Sequence, residues 1–165
     1  RQAGIHHPGG PEIERLATSG KNFVDLPYTV KGMDLSFSGL LTAATDILNS
    51  RRHRLEDICY SLQEVAFSML AEVTERALAH TEKKTVLLTG GVAANRRLQE
   101  MLSIIATEHG AQFSFVPREL AGDNGVMIAW TGLLQFKVGM VTRIEESFLK
   151  PKWRLDELDV PWRRV

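Results

Sequence analysis

The most regular pattern of apolar positions lies in the middle of the chain. Leu55, Ile58, Cys59, Leu62, Val65, Ala66, Met69, Val73 and Ala77 recur at i, i+3, i+4 spacing, which predicts an amphipathic helix of about six turns. Glu56 and Asp57 stand in its first turn, where carboxylates complement the helix dipole. Upstream, Leu40, Leu41, Ala44, Ile47 and Leu48 share one helical face, so a shorter helix is expected to open at Ser38-Gly39. Phe23 to Val30 and Met33 to Phe37 read as two strands around a Lys31-Gly32 turn, with Pro27 confining the first to an edge or a kink. Ahead of them, His6-His7-Pro8-Gly9-Gly10-Pro11 is expected to hold off helix until Glu12, leaving a short helix to Ala17 that ends near Ser19-Gly20.

After the long helix, Thr85-Val86-Leu87-Leu88 predicts a buried, parallel strand broken by Gly90-Gly91. A helix from about Ala94 should turn Leu98, Met101, Leu102 and Ile105 inward, with Gly110 just past its end. Gln112 to Val116 alternates polar and apolar and reads as a strand stopped by Pro117. Asp123 or Asn124 can cap a last helix reaching Gly139. The stretch from Glu145 to Val165 is polar, carries Trp153 and Trp162, and is expected on the surface. No internal repeat is visible. The succession of elements implies an α/β fold.

Composition narrows this picture. The chain has 165 residues, 44% hydrophobic and 24% charged, which excludes disordered and fibrous classes and suits one domain or two small lobes. Cys59 is the single cysteine, so no internal disulfide and no cysteine-based zinc site can form, as suits a reducing compartment. Apolar runs are too short to span a bilayer. The chain opens at Arg1 without a charged-then-apolar leader, so no secretory signal is expected, and the missing initiator Met suggests a piece of something longer. Twenty Lys+Arg balance twenty Asp+Glu, which argues against a dedicated nucleic-acid module. Local basic clusters remain at Arg51-Arg52-His53-Arg54 and Asn95-Arg96-Arg97; they read as a solvated turn and helix surface rather than as nucleic-acid contacts.

Three glycine-rich bends could carry chemistry. In Leu87-Leu88-Thr89-Gly90-Gly91-Val92-Ala93-Ala94-Asn95 a strand runs through two glycines into a helix. There the backbone can approach a ligand closely, free amides would favour an anion, and Asn95 offers both a donor and an acceptor. A plain strand-to-helix turn would look the same. His7-Pro8-Gly9-Gly10-Pro11 could admit a planar ring, with Glu14 accepting from ribose hydroxyls, or could be a rigid surface turn. Gly122-Asp123-Asn124-Gly125 fits either a metal-binding carboxylate or an ordinary N-cap. No two of His6, His7, His53, His80 and His109 lie three or four apart, so no helix face presents a histidine pair to a metal. Trp153 and Trp162 could stack on bases or pin the tail to its own domain. Cys59, on the apolar face of the long helix, reads as inert packing.

Taken in order, His7-Pro8-Gly9-Gly10-Pro11 with Ile13-Glu14-Arg15-Leu16-Ala17, Ser36-Phe37-Ser38-Gly39-Leu40, Thr89 to Asn95, and Gly122-Asp123-Asn124-Gly125 through Ala129 resemble one family. It is the tRNA threonylcarbamoyladenosine transferase family: TsaD in bacteria, and the OSGEP-type subunit of the KEOPS complex in archaea and eukaryotes. The Tyr28 to Leu40 and Trp153 to Trp162 segments look archaeal. The resemblance spans nearly the whole chain but only about the C-terminal half of the family's usual length.

It implies the ASKHA (actin-like ATPase and sugar kinase) fold, in which two α/β lobes clasp a nucleotide. Residues 1–140 would be most of the nucleotide-holding C-terminal lobe, and 141–165 a surface tail. Gly10 and Glu14 would line the adenosine pocket, Gly90, Gly91 and Asn95 would sit by the phosphate or carbamoyl group, and Ser36 to Gly39 would lie near the cleft. Asp123 would bind one divalent metal, iron or zinc, with two histidines of an HxxxH helix that these residues do not include. The implied ligand is ATP or threonylcarbamoyl-AMP. The implied partners are tRNA, the KEOPS kinase subunit and other KEOPS subunits, in the cytoplasm, with no membrane. Another ASKHA kinase, or a non-catalytic module docking a kinase subunit and tRNA, are the competing expectations.

Overall fold

The structure, a computed structural model, describes residues 3–122, 124–154 and 157–163. It divides into two units, Arg1–Gly122 and Asp123–Val165. The first unit opens with α1 (Gly9–Ala17) and a hairpin of β1 (Val30–Lys31) and β2 (Asp34–Leu35), followed by α2 (Ser38–Ser50) and the long α3 (Leu55–Thr81). Then come β3 (Thr85–Leu88), a 3₁₀ turn at Gly91–Ala94, α4 (Arg96–Glu108), β4 (Gln112–Phe115) and the single turn α5 (Arg118–Ala121). Strands β3 and β4 pair in parallel, from Thr85 opposite Gln112 to Leu88 opposite Phe115, with α4 as the crossover between them. The α/β reading therefore holds, with small sheets and a preponderance of helix.

Several expected boundaries move for physical reasons. Helix α1 begins at Gly9 rather than Glu12, because Pro11 falls in the first turn, where an amide N–H has no intrahelical partner to lose. The hairpin forms with Lys31 opposite Asp34 and Gly32 at φ +62°, but each strand has two residues. The stretch before it lies along α3 instead of in a ladder: Val24 is buried and donates its N–H to Ser61 Oγ at 2.8 Å. Thr85–Leu88 is not buried on both faces. Val86 and Leu88 are half-buried, while Leu87 is 63% exposed.

Helix α3 departs furthest from expectation. Its 27 residues make about seven and a half turns, and none of residues 55–74 is exposed. One face packs Val65 and Met69 against Leu40 of α2, with Leu26, Val30 and Leu35 around them. Another packs Phe67 and Ala71 against Leu98 and Leu102 of α4, with Leu88 and Phe113 from the parallel strands. The apolar stripe seen in the sequence is thus one side of a helix covered all round. Burial at this depth demands that polar side chains be paired, and they are. Asp57 Oδ1 accepts from the amides of Lys21 (2.8 Å) and Asn22 (3.0 Å), and Oδ2 from Asn22 Nδ2 (3.0 Å). Ser61 donates to the Asp57 carbonyl at 2.7 Å while accepting from Val24. Tyr28 reaches Glu72, and Arg76 reaches the Gly32 carbonyl, fastening the hairpin to the outer half of α3.

In the second unit, α6 (Gly125–Lys137) is capped by Asn124, whose Oδ1 accepts from the Met127 amide at 3.0 Å. The helix ends at Lys137, two residues short of Gly139, which sits in the left-handed region at φ +75°. Its sequence is largely apolar, yet none of its residues is buried. Lys150 Nζ lies 4.8 Å from the Trp153 ring centroid, so that indole, half-exposed, engages its own tail. Among the described residues no helix is long and apolar enough to cross a membrane.

Two outcomes follow. A Cβ at Gly20 would stand 2.5 Å from Tyr60 Cβ and 2.6 Å from the Glu56 carbonyl oxygen. Gly20→Ala should therefore cost about 1–3 kcal/mol of unfolding free energy by urea titration, typical of a packing clash. The amides of Lys21 and Asn22 hold the Asp57 carboxyl at about 2. This contribution is complete above the unfolded-state pKa of about 3.9 and is lost as pH falls through about 2. Urea midpoints should drop between about pH 4 and 2 in the wild type, and less steeply in Asp57→Asn.

Candidate functional site

Helix α4 carries the centre of the site at its first turn. Like any helix it begins with amides that find no partner within it. Here side chains take them. Asn95, the N-cap, accepts through Oδ1 from the amides of Arg97 (2.9 Å) and Leu98 (3.3 Å). Glu14 of α1 takes the remaining early amide: its Oε1 accepts from Arg96 N–H at 2.9 Å. A carboxylate at this end of a helix is favoured by the dipole as well as by the hydrogen bond. The expectation that the start of this helix offers free amides to an anion is corrected accordingly. The turn before the helix runs from Gly90 through Ala94.

That turn is built on Gly90, whose φ of +99° and ψ of 170° lie where essentially only glycine goes. A Cβ at Gly90 or Gly91 would meet no atom within 4 Å, so the surrounding space is open. The Ala93 side of the turn is buried. Its carbonyl accepts from Gln99 Nε2 at 2.6 Å, and the turn also packs against α5. Gly10 precedes Glu14 by four residues on α1, which puts the two on one face; Gly10 is exposed with open space where a side chain would be.

Of the residues expected at a site, then, Glu14 meets the start of α4 beside Asn95, Gly90 and Gly91 form the turn that leads into that helix, and Gly10 lies one turn from Glu14. The Ser36 and Ser38 hydroxyls pair with each other at 3.0 Å at the start of α2. Asp123, the expected metal ligand, lies outside the described residues. Among the described residues no group of three or more His, Cys, Asp or Glu side chains could hold a metal ion. Cys59 is buried, and burial pushes its thiol up to about 11, which fits inert packing.

Two participants were not legible as such. Gln63 and Glu64 lie on α3 between the apolar positions Leu62 and Val65, and each grips the start of α4. Gln63 Oε1 accepts from Asn95 Nδ2 at 2.9 Å. Glu64 receives Arg97 through Nε at 2.8 Å and Nη2 at 2.9 Å, while Arg97 Nη1 donates to Glu100 at 2.6 Å. These carboxylates raise the Arg97 pKa and neutralise half of what read as a basic cluster. Both fall between stripe positions, on the side the pattern leaves polar, so nothing local marked them.

A family profile described as tRNA N6-adenosine threonylcarbamoyltransferase (TsaD) matches residues 1–130. The chain belongs to the TsaD family. It is 58% identical over 162 residues to a protein of Methanothrix thermoacetophila named tRNA N6-adenosine threonylcarbamoyltransferase; the match covers 98% of this chain and 49% of that one. It is 57% identical to a Methanocaldococcus jannaschii protein named a probable bifunctional tRNA threonylcarbamoyladenosine biosynthesis protein, covering 98% of this chain and 30% of the relative. The chain thus spans half or less of the length of these TsaD relatives. Among solved structures, the Thermococcus kodakarensis HypF crystal structure superposes with a TM-score of 0.59 at 25% identity, over 84% of this chain and 18% of that one.

Glu14→Ala should uncover the Arg96 amide. Its hydrogen exchange, followed by NMR, should accelerate, and unfolding free energy should fall by about 0.5–2 kcal/mol, the usual worth of a cap. Unchanged Arg96 exchange would contradict the Glu14 contact.

Proposed function

We propose that this chain is the nucleotide-holding part of a tRNA threonylcarbamoyltransferase of ASKHA type. The reading is supported above all by the 2.9 Å hydrogen bond from Arg96 N–H to Glu14. It joins α1, the helix that carries Gly10, to the start of α4 next to Asn95, two segments far apart in sequence. Membership of the TsaD family and the relatives' names supply the reaction class.

Threonylcarbamoyl-AMP is a mixed anhydride and arrives already activated. The N6 amine of the adenosine next to the anticodon attacks its carbamoyl carbonyl. A C–N bond forms, the C–O bond to phosphate breaks, AMP leaves, and the amine sheds a proton. Such chemistry needs little from side chains beyond placement and charge stabilisation. Gly90 and Gly91 would let the backbone approach the phosphate, with amides steadying the charge that grows on the leaving group. Glu14 would accept from the ribose hydroxyls, sharing its carboxylate between ligand and helix. Asn95 would border the carbamoyl group. The Cys59 thiol, buried and protonated at neutral pH, has no part in it.

A divalent iron or zinc ion at Asp123 would polarise the carbonyl in the complete enzyme. Among the described residues no group of three or more His, Cys, Asp or Glu side chains could hold it; Gly90, Gly91, Glu14 and Asn95 would bind and place the substrate. tRNA as substrate, the KEOPS kinase subunit and other KEOPS subunits as partners, and a cytoplasmic setting complete the proposal.

In calorimetric titration with AMP, Glu14→Ala should weaken binding about tenfold, the worth of one well-made hydrogen bond to a charged acceptor. Glu14→Gln, which still accepts, should lose less. In a single-turnover assay with tRNA and threonylcarbamoyl-AMP, the 165-residue chain alone should produce no modified adenosine. Modified tRNA from this chain alone would show that it already holds everything transfer requires.

A further inference from the structure

We propose that Gln63 is a positioning residue for the substrate pocket, setting the orientation of the Asn95 amide; the inference rests on the proposed role of Asn95. Gln63 is 9% exposed, one of three buried polar side chains on α3. The other two, Asp57 and Ser61, fasten the segment that follows α1. Gln63 instead reaches 32 positions along the chain to Asn95.

An asparagine at an N-cap has its oxygen fixed by the helix but its nitrogen free to find its own partner. Here Oδ1 serves Arg97 and Leu98, which leaves Nδ2 facing α3, and Gln63 Oε1 meets it at 2.9 Å. The planar amide is thereby held at both ends. Next to Gln63, Glu64 clamps Arg97 with two parallel hydrogen bonds. Two consecutive residues of one buried helix therefore grip the N-cap and the second residue of another. The α3 grip defines the plane of the Asn95 amide as well as the start of α4.

The test uses the 165-residue chain and two readouts. The first needs no ligand: exchange of the Asn95 Nδ2 protons, followed by NMR. The second is the dissociation constant for AMP. Gln63→Met removes the acceptor while keeping the length of the side chain. Gln63→Glu keeps an acceptor and is the conservative rescue should Gln63→Met fold poorly. Ser61→Ala is the structural control, since it removes a different buried hydrogen bond from the same helix.

In Gln63→Met, Asn95 exchange should accelerate at least about tenfold and AMP affinity should fall by about the same factor. Gln63→Glu should stay near wild type in both. Ser61→Ala should lower the unfolding midpoint without moving either readout. Unchanged Asn95 exchange in Gln63→Met, or an equal affinity loss in Ser61→Ala, would overturn the proposal. Failure of the wild-type chain to bind AMP while Asn95 exchange still responds to Gln63 would instead refute the nucleotide reading, and with it the functional use of this contact.

Discussion

A helix covered on every side must pair every polar group it carries, and that constraint organises this protein. From Leu55 to Thr74 no residue of α3 is exposed. An unpaired carboxylate or amide in such a setting would cost more than most single contacts return. Each buried polar side chain on α3 has accordingly become an attachment point for a segment distant in sequence. Asp57 and Ser61 take the chain leaving α1, and Gln63 takes the N-cap of α4. Apolar packing on the same helix supplies the bulk of the cohesion, but it is indifferent to small rotations. The hydrogen bonds fix the register.

The site inherits that register. Helices α1 and α4 meet α3 independently, and their meeting with each other is narrow: one carboxylate oxygen of Glu14 on one amide of Arg96. So small a direct contact can be reproducible only because both helices are already indexed to a common support. The result is a helix start whose amides are satisfied by side chains, next to a glycine turn whose surroundings are open. Charge is managed in the same economical way. Arg97 is spent on Glu64 and Glu100, so a stretch that reads as basic presents little net positive charge where it lies.

Much of the fold was legible because local rules sufficed. The hydrophobic rhythm located α2, α3 and α4, and alternation located β4. The punctuation at Gly32, Gly110 and Pro117 matched observed turns or stops. Errors arose where a residue's partner is remote. Pro11 seemed to forbid helix because its position within the first turn was not apparent. Phe23 to Val30 seemed a strand because nothing local reveals that Ser61 will satisfy Val24. Glu14, Asn95 and the paired glycines could be nominated from their spelling. That two of them would close the same helix end, with Gln63 behind, depends on packing that no window of the sequence contains.

The backbone at Gly90 carries one more consequence. Its torsion angles, φ +99° and ψ 170°, are close to the mirror image of an ordinary extended residue. Beyond its own chain neighbours no atom lies within 4 Å of where an L-alanine methyl would sit, so the obstacle is the local clash of that methyl with the adjoining peptide units and not packing. What the bend requires is handedness and not emptiness. A D-amino acid placed there by chemical ligation would find its preferred conformation waiting, and would stiffen the bend by narrowing the choices open to the unfolded chain.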